Sequence, residues 1–215
     1  LFWSLLCILI ISSCATEKQT VEEDLYSGVS FYVGMGKPEK AILEYEQAIE
    51  EQRDDAEVQN LYARLLILSG QLIKARETLE ALLAKNPQNT EALYTLSLLE
   101  NYENNFDEQK ALLLRIIEIT DNHTEALASL GEIYLKNNEY KEAKECFNKA
   151  LLTDTENFIA LMGMGHLQLQ EEEYKEAKEM FTRAISARPE YSFAYVDRAT
   201  THKKFGQNKQ ACDDY

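Results

Sequence analysis

TEALASLGEIYLKNNEYKEAKECFNKALLTDTEN occupies residues 124–157, and FIALMGMGHLQLQEEEYKEAKEMFTRAISARPEY follows at 158–191. The two segments align without a gap, and SFAYVDRATTHKKFGQNKQACDDY at 192–215 continues the same register. The offset is 34 residues. A period in this range is the signature of a repeat architecture, in which one unit cannot bury its apolar face without its neighbours.

The register extends upstream without insertion, to unit starts at Thr90, Ala56 and Glu22. Small residues recur at the eighth position of each unit: Val29, Ala63, Ser97, Gly131, Gly165 and Ala199. Alanine recurs at the twentieth, at Ala41, Ala75, Ala143, Ala177 and Ala211, with Gln109 the departure. The twenty-fourth is large and apolar: Tyr45, Leu79, Leu113, Phe147, Phe181 and Tyr215. Each unit holds two stretches with apolar spacing near 3.6, joined by a short polar turn. Gly36, Gly70, Asn104, Asn138 and Gly206 mark that turn, residue types that tolerate the left-handed conformation ending a helix. Pro38 sits just inside a second helix, where its missing N–H costs nothing. Small residues at positions eight and twenty let helices approach, and the large residue at twenty-four fills the space beside them.

This pattern resembles the tetratricopeptide repeat family over residues 22–215, with repeat three (90–123) the weakest match. The resemblance implies an all-α superhelix, an α-solenoid of antiparallel helix pairs with five full repeats and a truncated sixth. Its concave wall is expected from the first helix of each pair. The register stops inside the second helix of the sixth unit, so continuation past Tyr215 is expected, because such arrays need a polar terminal cap.

Composition agrees and narrows the function. Three prolines and eight glycines among 215 residues favour helix. A net charge of −15 argues against nucleic-acid binding, which needs a basic footprint, and against adsorption to anionic membranes through charge. The acidity is uneven: the unit starting at Glu22 carries ten acidic and three basic residues, placing the weight nearest the N-terminus. No catalytic constellation is readable, and no cofactor, metal or small-molecule substrate is expected. GMGK at 34–37 lacks the preceding strand and the Lys-Ser/Thr pair of a phosphate loop, and the register places it at a helix–helix turn. GMGH at 163–166 is explained by Gly165 at the small eighth position, with His166 projecting as a solvated groove residue. Cys146 and Cys212 stand two repeats apart, too far for a disulfide, and are read as unpaired thiols.

In the family, ligands lie along the concave surface, reached by positions two, five, nine, twelve and thirteen. Carried over, these give Glu23, Tyr26, Asn60, Arg64, Tyr94, Tyr102, Glu125, Ile159, Met162, His166, Phe193 and Val196 as groove candidates. Glu23, Glu57, Glu91 and Glu125 form a column at position two. Both a favourable helix-dipole contact and an acidic groove edge for a basic peptide account for it. Units five and six replace those glutamates with apolar groups, so Ile159, Met162, Phe193 and Val196 are expected as an exposed patch, either a contact surface or a face covered by a further repeat. The family's carboxylate clamp needs Lys and Arg at positions two and six, which no unit offers; Arg198, at position seven, is expected to face inward or to an edge.

The N-terminal run LFWSLLCILIISSC lies outside the register. It is short for a membrane span, which needs about 20 apolar residues, and fits a signal-peptide apolar region. Its end, Ile11-Ser12-Ser13-Cys14, resembles the bacterial lipobox. The resemblance implies a signal peptide at 1–13, a lipidated Cys14 with a short linker at 14–21, and the repeat array at 22–215. An uncleaved anchor and ordinary secretion are the alternatives. Residue 1 is Leu, so a preceding natural N-terminus with a basic segment is expected. Residues 15–21 reach at most about 25 Å, holding the array close to the membrane. Ala15 after the cysteine implies the outer membrane of the cell envelope in a diderm bacterium. The expected function is a lipid-anchored scaffold that binds a protein or peptide in its groove, in a class of bacterial lipoproteins that includes outer-membrane assembly factors and pilus-secretin pilots. The second reading is a soluble or single-span subunit of a multiprotein complex.

Overall fold

The structure, a computed structural model, describes residues 36–48 and 55–214. Among the described residues it is all-helical, with α1 (Pro38–Ala48), α2 (Ala56–Leu68), α3 (Leu72–Lys85), α4 (Thr90–Tyr102), α5 (Phe106–Ile119), α6 (Thr124–Lys136), α7 (Tyr140–Thr153), α8 (Phe158–Gln170), α9 (Tyr174–Ala187), α10 (Ser192–Lys204) and α11 (Asn208–Asp214). The first helices α2, α4, α6, α8 and α10 begin at the first residue of each unit read from the sequence. Residues 1–35, which include Cys14, Glu23 and Tyr26, lie outside the described residues.

Local chemistry sets the helix ends. Positive φ recurs at Gly36, Gly70, Asn104, Asn138, Glu172 and Gly206, each at the fifteenth position of its unit. In the last five of these turns the third residue after the helix donates back five residues. Gln71 N donates to Leu66 O at 2.9 Å and Glu139 N to Tyr134 O at 2.9 Å, which satisfies carbonyls that the helix leaves free. Glu172 was not readable as a turn residue from its type; the repeat geometry imposes the left-handed conformation on it. Starts are capped from the preceding unit's last position. Asp55, Asn89, His123 and Asn157 each accept a backbone N–H of the first turn, for example Ala160 N to Asn157 Oδ1 at 3.1 Å. His123 thus has a structural role, as an N-cap.

The chain divides into two compact units, Leu1–Thr95 and Leu96–Tyr215, with the divide inside α4. In the first, α1 packs on α2 and α2 on α3. Tyr45 and Tyr62 stack at 4.9 Å with rings nearly parallel, and the buried Tyr45 hydroxyl donates to Val58 O. Ala63, Leu65, Leu66, Ala75 and Leu79 fill the interior. Lys74 bridges to Glu46 at 3.3 Å on the outside.

In the second unit each helix from α5 to α10 packs on its successor, and α6 also packs on α8, as in an α-solenoid. The core is built on two rings. Phe147 of α7 lies against the backbone of Gly131 on α6 and Gly163 on α8. Phe181 of α9 lies against Gly165. A Cβ on Gly163 would stand 2.1 Å from the Phe147 ring, on Gly131 2.5 Å, and on Gly165 2.6 Å from Phe181. These distances are well inside van der Waals contact, so the rings occupy the volume that side chains would need. Arg198 turns to an edge and pairs with Asp214 of α11 through Nε at 2.9 Å and Nη2 at 2.5 Å. Cys146 and Cys212 are free thiols, and burial raises the Cys146 pKa. No helix among the described residues is long and apolar enough to cross a membrane.

Two outcomes follow from this packing. Gly163→Ala should cost about 1–3 kcal/mol in chemical unfolding, the range for overpacking a filled core. Combined with Phe147→Leu, the loss should be smaller than the two single losses added; simple additivity would show that ring and glycine are not in conflict. Glu172→Gly should stabilise by up to about 1 kcal/mol by relieving the left-handed conformation, whereas Asn138→Gly should change little.

Candidate functional site

Each unit has a hollow formed by its first helices. In the first unit, α2 supplies Glu57, Asn60, Leu61 and Arg64, and the start of α4 supplies Glu91. Asn60 is buried at 7% exposure, and its Oδ1 has no hydrogen-bond partner among the described residues. Arg64 is exposed beside it. Of the sequence-derived candidates, the structure brings together Asn60 and Arg64 here, with Glu57 and Glu91 of the glutamate column. Tyr94 is half-buried on α4 and does not line this hollow.

In the second unit the hollow spans α6, α8 and the start of α10. Its volume, about 620 Å³, is close to the 590 Å³ of the first, so the two differ in lining rather than in size. Ile159, Met162, His166 and Phe193 come together in it, as the register implied. Tyr191 and Arg188, from the turn between α9 and α10, and Asp197 on α10 join them. Phe158, Tyr191 and Phe193 form a continuous aromatic corner, with centroid distances of 4.7 Å and 5.9 Å. Exposure rises along it, from a buried Phe158 to Phe193 at 67%. Val196 is exposed on α10 but does not line the hollow. Tyr102 is exposed at the end of α4, and Glu125 is exposed on α6 with His123 Nδ1 3.4 Å away.

Two expectations are corrected. Met162 is not part of an exposed patch: at 9% exposure it belongs to the core with Phe158, Leu161 and Phe181. The packing of α6 on α8 turns position five into floor there, with Ala128 buried beside Met162; Asn60, at the same position of α2, is buried too, whereas Tyr94 is half-buried and Val196 exposed. His166 is not simply solvated. Its Nε2 donates to Asp197 Oδ2 at 2.9 Å, and its ring lies 5.3 Å from Phe181. Position nine of one unit therefore meets position six of the next. Glu132 holds position nine of the preceding unit, and the corresponding position six is Gly163, which offers no partner. The Glu132 carboxyl is open to water yet crowded by the walls of the hollow. Burial raises its pKa, and the nearby Lys136 and His166 oppose that rise.

The sign of this shift gives a test. A carboxyl with a raised folded-state pKa holds its proton more tightly folded than unfolded, so its ionisation costs stability as pH rises through the folded value. Glu132→Gln should therefore raise the melting temperature at neutral pH. The gain should vanish below the ordinary carboxylate range, near pH 4. A gain independent of pH would refute the assignment.

The sequence matches the tetratricopeptide repeat over residues 32–99, 124–156 and 159–191, which together make up more than half of the chain. No curated protein matches it. Among solved structures, PilF of Pseudomonas aeruginosa is similar at a TM-score of 0.71 and 18% identity, covering 92% of this chain and 90% of that one. A tetratricopeptide repeat protein from Parabacteroides merdae is similar at 0.61 and 20% identity, over 91% and 77%. YrrB, described as a TPR protein with an unusual peptide-binding site, is similar at 0.56 and 19% identity, over 79% and 88%. The repeated turns, the small-residue contacts and these matches lead to one conclusion: the chain belongs to the tetratricopeptide repeat family.

Proposed function

We propose that this protein is a non-enzymatic scaffold, lipid-anchored in a bacterial cell envelope, that holds a partner protein in the hollow of its second unit. The observation that carries the binding reading is the aromatic corner. Phe193 is 67% exposed and Tyr191 44%, both beside a buried apolar floor. Exposing large apolar groups to water is unfavourable, and grouped in a concave surface they mark a contact. YrrB, whose fold is similar, is described as having a peptide-binding site, and the present hollow offers the same kind of ligand a place. The anchor rests on Ile11-Ser12-Ser13-Cys14, which resembles a lipobox. On that reading, residues 15–21 hold the array close to the membrane, and Ala15 after the cysteine favours the outer membrane of a diderm envelope. A soluble or single-span subunit is the competing arrangement, and it shares the binding hollow.

Phe193→Asp is the informative variant. Its side chain is exposed, so the melting temperature should stay within a few degrees, whereas Met162→Asp would bury a charge and unfold the core. A partner recovered from detergent extract with the unaltered chain should be lost with Phe193→Asp; equal recovery would remove the hollow from consideration. Mass spectrometry of the mature protein should find a diacylglyceryl group on Cys14, and an unmodified Leu1 segment would dismiss the anchor.

A further inference from the structure

Arg188 occupies an unusual electrical position. Four charged side chains line the hollow of the second unit, two of each sign: Glu132, Asp197, Lys136 and Arg188. Asp197 is bound by His166 at 2.9 Å. Glu132 lies within electrostatic reach of both Lys136 and His166. Arg188 is left. Its guanidinium sits over the Phe158 ring at 5.0 Å, and among the described residues it has no carboxylate at ion-pair distance. The neighbouring arginines differ: Arg183 pairs with Glu156 at 3.5 Å and Arg198 with Asp214 at 2.5 Å.

The position of Arg188 is also built rather than loose. Its backbone N–H donates to Ala184 O at 2.9 Å, and its carbonyl accepts from Tyr191 N at 3.2 Å. The second of these bonds closes the turn between α9 and α10 and ties Arg188 to Tyr191 within it. A guanidinium resting on an aromatic face keeps its planar fork of donors available, and that fork matches a carboxylate in geometry and charge. Beside it, along the same run of rings, Tyr191 and Phe193 offer exposed apolar surface.

We infer that the hollow of the second unit takes a peptide segment carrying an Asp or Glu close to a bulky apolar residue, with Arg188 receiving the carboxylate and the Tyr191–Phe193 corner receiving the apolar side chain. The rings connecting these two subsites are in contact, so acid and anchor are separated by roughly two to four residues of extended chain. This rests on the binding role proposed above and specifies its ligand. The charge order also selects against a basic segment, because Glu132 lies near Lys136, Asp197 is hydrogen-bonded by His166, and Arg188 does not face an anion.

The test is selection of a phage-displayed random 12-residue library on the full chain in detergent, followed by affinity measurement with the enriched peptides. Enriched peptides should contain Asp or Glu near Phe, Leu, Ile or Trp. Arg188→Gln should weaken them about tenfold or more, the effect of losing one charge-assisted hydrogen-bonded contact. Raising salt should weaken the unaltered chain and affect Arg188→Gln less. Arg188→Glu should turn the preference to Lys- or Arg-bearing peptides, and Arg183→Gln should leave affinity unchanged. Peptides that are apolar without an acid, bind Arg188→Gln equally and are lost with Phe193→Asp would overturn the acidic specificity and leave the binding hollow standing. Enrichment of basic peptides would overturn it as well. Failure to enrich any peptide over the Phe193→Asp chain would overturn both readings.

Discussion

The second unit depends on one kind of contact, a phenylalanine ring against bare backbone. Phe147 stands between Gly131 and Gly163, and Phe181 lies on Gly165. Burying such a ring is worth on the order of 1.5–3 kcal/mol, and the benefit requires a neighbour without a side chain at the point of approach. The glycines weaken their own helices by roughly 0.5–1 kcal/mol each. The ring contacts offset that cost, and they bring successive helices close enough for the rest of the architecture. At the corresponding positions of the first unit stand the buried Ala63 and Leu79, a smaller step in size.

The hollow is a consequence of that closeness. Where α6 packs on α8, position five sinks below the surface, and Met162 and Ala128 become floor. Position nine comes within hydrogen-bonding distance of position six in the next unit, as His166 and Asp197 illustrate. What remains exposed is decided at the edge, by the turns. In the first unit the edge is polar and acidic, with Glu57 and Glu91 near a buried asparagine oxygen. In the second it is aromatic, with an arginine laid over the Phe158 ring. Similar backbones of similar hollow volume thus present unlike chemistry, and binding preference resides in the variable positions while the repeat spends its constant ones on packing.

Much of the fold was legible because its rules are local or act at a constant offset. Turn residues with positive φ recur every 34 positions, and five of the six are Gly or Asn. The sixth, Glu172, is of a type that carries no turn signal. The caps Asp55, Asn89 and Asn157 are of types that favour the start of a helix, whereas His123 caps through a ring nitrogen. Of the groove candidates the register offered, Ile159, His166 and Phe193 line one hollow. The register missed Arg188 and Tyr191, because these sit in a turn outside the first helices, and it missed Asp197, whose role appears only when His166 is seen opposite it.

By itself, then, the sequence determined the period, the helix limits, the alternation of small and large residues and so the family, since each of these depends on spacing within one unit. Only the tertiary structure decided which candidates are floor and which are rim, which charges are compensated, and where aromatic surface stays open to water. The reason is geometric. Such properties depend on the side chain that the next repeat places opposite, and that pairing is created by the angle and distance of helix packing rather than by any residue's own position in the period.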